Sequence, residues 1–171
     1  MDELYRNKYR IPSARRTHWD YGWNSIYFIT ICTRDRKHFF GEIINDEMVL
    51  NEAGMVTSHI WETISEQFSY VLLNEFVVMP NHMHGLLTLN HAVGQSEIAV
   101  ANAKGGITSI HNPMFHENLS KVIRWYKGKS SYEIRKFQSS FGWQARFHDH
   151  IVRNDESLRR IQEYITGNAQ L

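Results

Sequence analysis

Several scarcities bound this chain of 171 residues. Cys32 is its only cysteine, which excludes an internal disulfide framework and suits a reducing cytoplasm. Its setting in the apolar stretch IYFITICT favours a buried thiol over a nucleophile. No apolar run approaches the roughly 20 residues that a membrane helix needs. MDELYRNKYR at the N-terminus lacks the apolar core of a secretory signal, so no membrane partner is expected. Net charge is scarce too: Lys and Arg number 19, Asp and Glu 18, which is not the overall footprint of a nucleic-acid binder.

The residues that are present describe a globular chain. Hydrophobic residues make up 42% and aromatic residues 13%, enough for a proper core and against disorder. The length suits one domain, 1–171, on the usual scale of roughly 100–200 residues per domain. Charge is segregated along it. Residues 1–16 carry five basic residues against two acidic ones, and residues 120–136 carry six against one. Such segregation permits a local anion-binding face on a near-neutral protein; equally, both stretches read as solvated surface.

Residues 1–22 read as a polar, basic arm. WNSIYFITICT (Trp23 to Thr33) reads as a first core strand. HFFGEIINDEMVLN reads as a hairpin turning at Asn45-Asp46. EAGMVTSHIWETISEQF places Val56, Ile60, Ile64 and Trp61, Phe68 at helical spacing. VLLNEFVVM is a second core strand. Residues 90–116 are rich in Gly, Ser, Asn and Ala without periodicity, a loop long enough to expect a function or disorder. ENLSKVIRWYKGKSSYEIRKF reads as a second helix and GWQARFHDHIVR as a fourth strand. NDESLRRIQEYITGN reads as a last helix, with Asn154 as N-cap and Asp155 and Glu156 in its positive first turn. The predicted fold is α+β: a ferredoxin-like βαββαβ antiparallel sheet with an inserted hairpin and an extra C-terminal helix. Fold alone does not assign a function.

VVMPNHMHGLLTL (Val77 to Leu89) carries the first chemical signal. Residues i and i+2 share one face of a strand; on a helix they would diverge by roughly 200°. His82 and His84 therefore project together, with Met83 turned to the other face. Two imidazoles so placed are either a pair of metal ligands or two half-exposed rings on a solvated face. On the last helix Leu158, Ile161 and Ile165 form the core stripe. Tyr164 flanks that stripe, and Asn168 lies one turn further along the same edge. Tyr164 thus covers the core rim or reaches into a site there. Tyr126 and Tyr132, on the basic second helix, are rival nucleophiles or stacking platforms for bases.

VVMPNHMHGLLTL resembles the His-hydrophobe-His strand of the HUH superfamily. YFITICTRDRKHFFG, MPNHMHG, WYKGKSSYEIRK, WQARFHDHIVR and RIQEYITGN follow in the order found in the IS200-like single-tyrosine transposases, and most nearly resemble the REP-associated tyrosine transposases. The likeness covers most of the chain. It implies that Tyr164 is the catalytic nucleophile and that His82, His84 and Asn168 hold a divalent metal, Mg²⁺ or Mn²⁺. The family pattern has proline after the asparagine; here Ala169 follows Asn168. His148, Asp149 and His150 in FHDH are expected to orient ligands or to touch DNA.

The resemblance further implies a metal-dependent single-stranded DNA transesterase, cleaving and rejoining hairpin-bearing, REP-like DNA in a bacterial cytoplasm. The cation would act as a Lewis acid on the scissile phosphate, and Tyr164 would be left in a 5′-phosphotyrosine link beside a free 3′-OH. That link conserves the phosphodiester energy, so a second 3′-OH can reverse the step and join strands. Trp125 and Tyr126 beside Arg124, Lys127, Lys129 and Lys136 are expected to stack bases and contact phosphates, and Arg10, Arg15 and Arg16 to clamp the hairpin. A homodimer is the further partner implied, because related transposases place the tyrosine helix of one subunit in the site of the other. Two alternatives belong to other classes: a single-stranded nucleic-acid-binding protein that does not cut, and a metal-dependent nuclease using bound water.

Overall fold

The computed structural model describes residues 20–91 and 117–168, together with the backbone of two short strands before them, β1 (Leu4–Tyr5) and β2 (Lys8–Tyr9), which pair antiparallel. Most of the basic arm, including Arg10, Arg15 and Arg16, and nearly all of the long loop lie outside the described residues.

The core begins with β3 (Ser25–Cys32), whose β-branched and aromatic residues fit a pleated surface. Alternation sends Tyr27, Ile29 and Ile31 to one face, all fully buried, and Ile26, Phe28 and Thr30 to the other. A 3-10 turn (Arg34–Arg36) leads to the hairpin of β4 (Gly41–Ile44) and β5 (Glu47–Leu50). Asn45 and Asp46 turn it with φ of 51° and 63°. Both are left-handed, as the tightest two-residue hairpin requires, and Asn and Asp tolerate that region best after glycine. Helix α1 (Glu52–Glu62) starts at Asn51, whose side chain accepts from the Gly54 amide at 3.0 Å. A single turn, α2 (Ile64–Gln67), completes the segment read as one helix.

Strand β6 (Val71–Met79) returns through Pro80 and Asn81 into β7 (His82–Leu89). Helix α3 (Leu119–Ile134), β8 (His148–Val152) and α4 (Asp155–Asn168) follow. The sheet runs β6-β7-β3-β8 with each neighbouring pair antiparallel. This is the βαββαβ arrangement, with the hairpin inserted after the first core strand and α4 added at the end.

Two apolar layers sandwich the sheet. On one face Trp61, Tyr126, Met83, Ile29 and Phe141 form the large core with α1 and α3. Full burial of each such side chain contributes about 1.5–3 kcal/mol relative to exposure. On the other face Val77, Met79, Leu86, Val152 and Ile165 form a smaller cluster under α4, with Leu158 and Ile161 at its margin. The alternation in β7 thus gives Met83 to the large core and leaves His82 and His84 on the side of α4. Among the described residues, no helix is long and apolar enough to cross a membrane.

Candidate active site

The antiparallel register determines what surrounds the two histidines. His82 stands between Met79 of β6 and Cys32 of β3, and His84 between Val77 and Thr30. Their Nε2 atoms converge to 3.1 Å, with ring centroids 4.7 Å apart. Each Nδ1 has an oxygen partner: Asn81 Oδ1 at 2.7 Å for His82, and Thr30 Oγ1 at 2.8 Å for His84. The Phe28 ring stacks on His84 at 5.3 Å.

Helix α4 brings the third group. Asn154 Oδ1 accepts from the Ser157 amide at 2.8 Å and caps the helix as its position predicted. Ile165 is buried against the sheet and sets the rotation of the helix. Tyr164, next to it, remains half-exposed, and its hydroxyl lies 3.2 Å from His84 Nε2. Residues 80 positions apart in the chain thus meet at one point. Asn168 follows one turn later, half-buried, and its amide nitrogen is buried without a hydrogen-bond partner. Among the described residues, no group of three or more His, Cys, Asp or Glu side chains gathers as a metal site.

Electrostatics keep both rings neutral. Burial, reinforced by the adjacent His82, lowers the His84 pKa from 6.5 to about 4. Burial, then the charge of Arg36, lowers that of His82. Neutral imidazoles are the metal-binding form. Arg36 has φ of 53° and follows Asp35 at 57°. Consecutive left-handed non-glycine residues are strained, and such strain concentrates at functional sites.

His148 and His150 occupy the same sheet face as His84. His148 is opposite Thr30, and His150 is opposite Phe28. Asp149 is opposite Ile29, so alternation turns it to the other face. Both histidines are exposed.

The basic helix departs from its sequence reading. Its apolar residues belong to the large core, so α3 sits in the layer opposite the histidine pair. Tyr126 is fully buried, its hydroxyl donating to the Thr57 carbonyl at 3.2 Å, and burial pushes its pKa well up. It can neither stack on a base nor act as a nucleophile. Trp125 packs edge-on against Phe68 at the core margin. Lys127 donates to the carbonyls of Gln144, Ala145 and Arg146, and burial lowers its pKa. Lys129 and Lys136 pair with Glu133, leaving Arg124 exposed beside them. Helical periodicity identified the residues of α3 without revealing that its aromatic face was core.

Thr30, Asn81 and Arg36 escaped the sequence reading. Asn81 is marked in the sequence only by its place between Pro80 and His82. Thr30 becomes a neighbour of His84 through strand pairing across 54 positions, for which a single sequence has no local signal.

No family model matches the chain. An uncharacterized protein of Haemophilus influenzae is 33% identical over 161 residues, covering 93% of this chain and 88% of that one. Another Haemophilus influenzae protein, named as a REP-associated tyrosine transposase, is 24% identical over 150 residues, covering 87% of this chain and 72% of its own. Among solved structures, a REP-associated tyrosine transposase bound to a REP hairpin matches with a TM-score of 0.56 at 20% identity, over 92% of this chain and 72% of that one. The fold is therefore a transposase fold. In sequence, at low identity, and in fold the chain is similar to REP-associated tyrosine transposases.

Proposed function

We propose that the protein cleaves and rejoins hairpin-bearing single-stranded DNA, with Tyr164 as nucleophile and a divalent cation, Mg²⁺ or Mn²⁺, at His82 and His84. The observation that carries this reading is the convergence of Tyr164 Oη and both Nε2 atoms within 3.1–3.2 Å contacts. A half-exposed tyrosine that only covered a core edge would have no need of a neutral imidazole at its hydroxyl.

The donor set suits such a cation. Two neutral rings whose outer nitrogens are held by oxygens are the usual form of histidine ligation. Asn168 is the proposed third ligand. Its unpartnered buried amide supports that role, since a half-turn of the side-chain amide exchanges Nδ2 for Oδ1. Two imidazoles and an amide oxygen suit Mn²⁺ at least as well as Mg²⁺. When bound, the cation supplies Lewis-acid polarisation of the scissile phosphoryl group.

The chain's own residues perform the exchange. Tyr164 Oη forms a bond to phosphorus as the P–O3′ bond breaks. The phenol gives up its proton and O3′ departs as a hydroxyl, leaving a 5′-phosphotyrosyl link. Reversal by another 3′-OH releases Tyr164 and joins the strands, so no nucleotide cofactor is consumed. Tyr164 Oη reaches His84 of its own chain, which supports action in cis. The relative bound to a REP hairpin supports a hairpin substrate, and exposed His148 and His150, on the sheet face of His84, are available for its phosphates and bases.

The test is a denaturing gel of the protein incubated with hairpin-bearing single-stranded DNA and Mn²⁺. A covalent adduct is expected. Cleavage without any adduct would assign the chemistry to bound water, and binding without cleavage would leave a DNA-binding protein.

A further inference from the structure

Tyr164 and the two imidazoles of β8 stand on opposite sides of one half-open shelf. A single rung of the sheet carries His84 on β7, Thr30 on β3 and His148 on β8, paired in register. The next rung carries Leu86, Phe28 and His150. Period-two alternation turns all six side chains to the side of α4. Thr30 and Phe28 are only half-buried and form the floor. One wall is His84, with the Tyr164 hydroxyl 3.2 Å from its Nε2 and Phe28 packed against both rings. The other wall is His148 and His150, both exposed. With neighbouring strands about 4.8 Å apart, the walls stand roughly 10 Å from each other at the backbone, with room for a phosphodiester group between them.

The helix that supplies the tyrosine sets the direction of attack. Helix α4 lies mainly over β6 and β7, so the phenol enters from that side and its ring reaches Phe28 of β3. Displacement at phosphorus is in line, with entering and leaving oxygens on opposite sides. A phosphate attacked by Tyr164 Oη therefore has its leaving O3′ on the far side, toward β8. The phenol proton, on the near side of phosphorus, cannot be handed directly to O3′. An acid is needed where O3′ departs.

We propose that His148 is that acid, a catalytic residue whose imidazolium gives its proton to O3′. The proposal rests on the reading of Tyr164 as nucleophile given above. As the Oη–P bond forms, the P–O3′ bond breaks. Its electron pair goes to O3′, which takes the proton from His148. The phenol proton passes to solvent, and His148 is left neutral. In the joining direction neutral His148 takes the proton of the incoming 3′-OH, so one residue serves cleavage and rejoining. An imidazole suits both steps because it gains and loses a proton near neutral pH. His148 shares its rung with His84, whereas His150 stands beside Phe28, one rung farther from the ring that holds the Tyr164 hydroxyl. Asp149 faces the other layer.

The experiment is single-turnover cleavage, in Mn²⁺, of a hairpin-bearing single strand. Its leaving 3′ oxygen, at the position that wild type cuts, is either natural or replaced by sulfur. A thiolate leaves without being protonated, so sulfur removes the need for an acid. His148→Gln should slow adduct formation on the oxygen strand by about 100-fold or more, within the usual range for a general acid, and should match wild type to within about threefold on the sulfur strand. Imidazole added to His148→Ala should restore the oxygen strand.

A His148→Gln protein that cleaves the oxygen strand like wild type overturns the proposal. So does a folded variant slowed equally on both strands and not rescued by imidazole, which would make His148 a DNA contact. Sulfur rescue of His150→Gln in place of His148→Gln would overturn it by assigning the acid to the neighbouring rung. Wild-type protein that forms no adduct on either strand removes the tyrosine reading and the acid with it. Full-rate adduct formation by wild type and by every His148 variant removes the acid alone.

Discussion

Gly85 lies flat against the indole of Trp61: a Cβ built on it would stand 2.3 Å from Cζ2 and 2.7 Å from Cη2. The glycine that follows the His-Met-His run therefore belongs to the large core, on the face opposite the histidines. It lets the α1 layer press onto β7, and that contact holds the strand bearing both imidazoles. Gly85→Ala should cost about 1–3 kcal/mol through overpacking, seen as a lower midpoint in urea unfolding. An unchanged midpoint would mean that Trp61 swings aside freely.

Tyr164 is half-exposed, with its ring edge-on to Phe28 and His84. Tyr164→Phe keeps those contacts, so stability should move by no more than about 0.5 kcal/mol. Hairpin DNA and Mn²⁺ should still bind, and no covalent adduct should form. Tyr126→Phe removes a buried hydroxyl from the Thr57 carbonyl and should cost about 1 kcal/mol, while adduct formation persists. Mass spectrometry of a trapped adduct decides: a nucleotide on the peptide of Tyr132 would place the chemistry on the wrong helix.

The double substitution His82→Ala and His84→Ala should abolish Mn²⁺ binding and cleavage in a protein that still folds, since the buried anchor of α4 is Ile165, which packs with Val77 and Leu86 of the sheet. Calorimetric titration is the measurement. Undiminished binding would move the metal elsewhere.

Both imidazoles also make the metal-free fold sensitive to acid. The unfolded chain takes up protons as pH falls through 6.5, whereas folded His84 resists until about 4, and His82 is likewise depressed. Their contribution is complete above pH 6.5 and is lost as pH falls toward 4. Thermal unfolding between about pH 7 and about pH 4.5 should show a shallower decline for the double alanine variant than for wild type. Parallel declines would show that other groups govern acid stability.

Lys127 is committed to main-chain carbonyls that precede β8. Lys127→Met should lower stability by about 1–2 kcal/mol, as for a lost hydrogen bond from a charged donor. It should leave the salt dependence of DNA binding alone, whereas one lost phosphate contact flattens the slope by about 0.7 on a single strand. A flattened slope with an unchanged melting temperature would return Lys127 to the DNA.

The sequence by itself determined the local geometry. Period-two alternation made His82 and His84 share a face, Asn45-Asp46 set the hairpin turn, and Asn154 capped the last helix. The stripe of Leu158, Ile161 and Ile165 left Tyr164 at the helix edge. Each rests on contacts within a few residues, where backbone geometry dictates the outcome. Only the tertiary structure decided which layer each face met. It drew Tyr164 to His84, set Thr30 behind the ring and Arg36 near its partner, and turned the aromatic side of α3 into core, removing Tyr126 from any surface. These outcomes depend on strand order and on which helix covers which side of the sheet. Periodicity records that a face is apolar; it does not record the element that buries it.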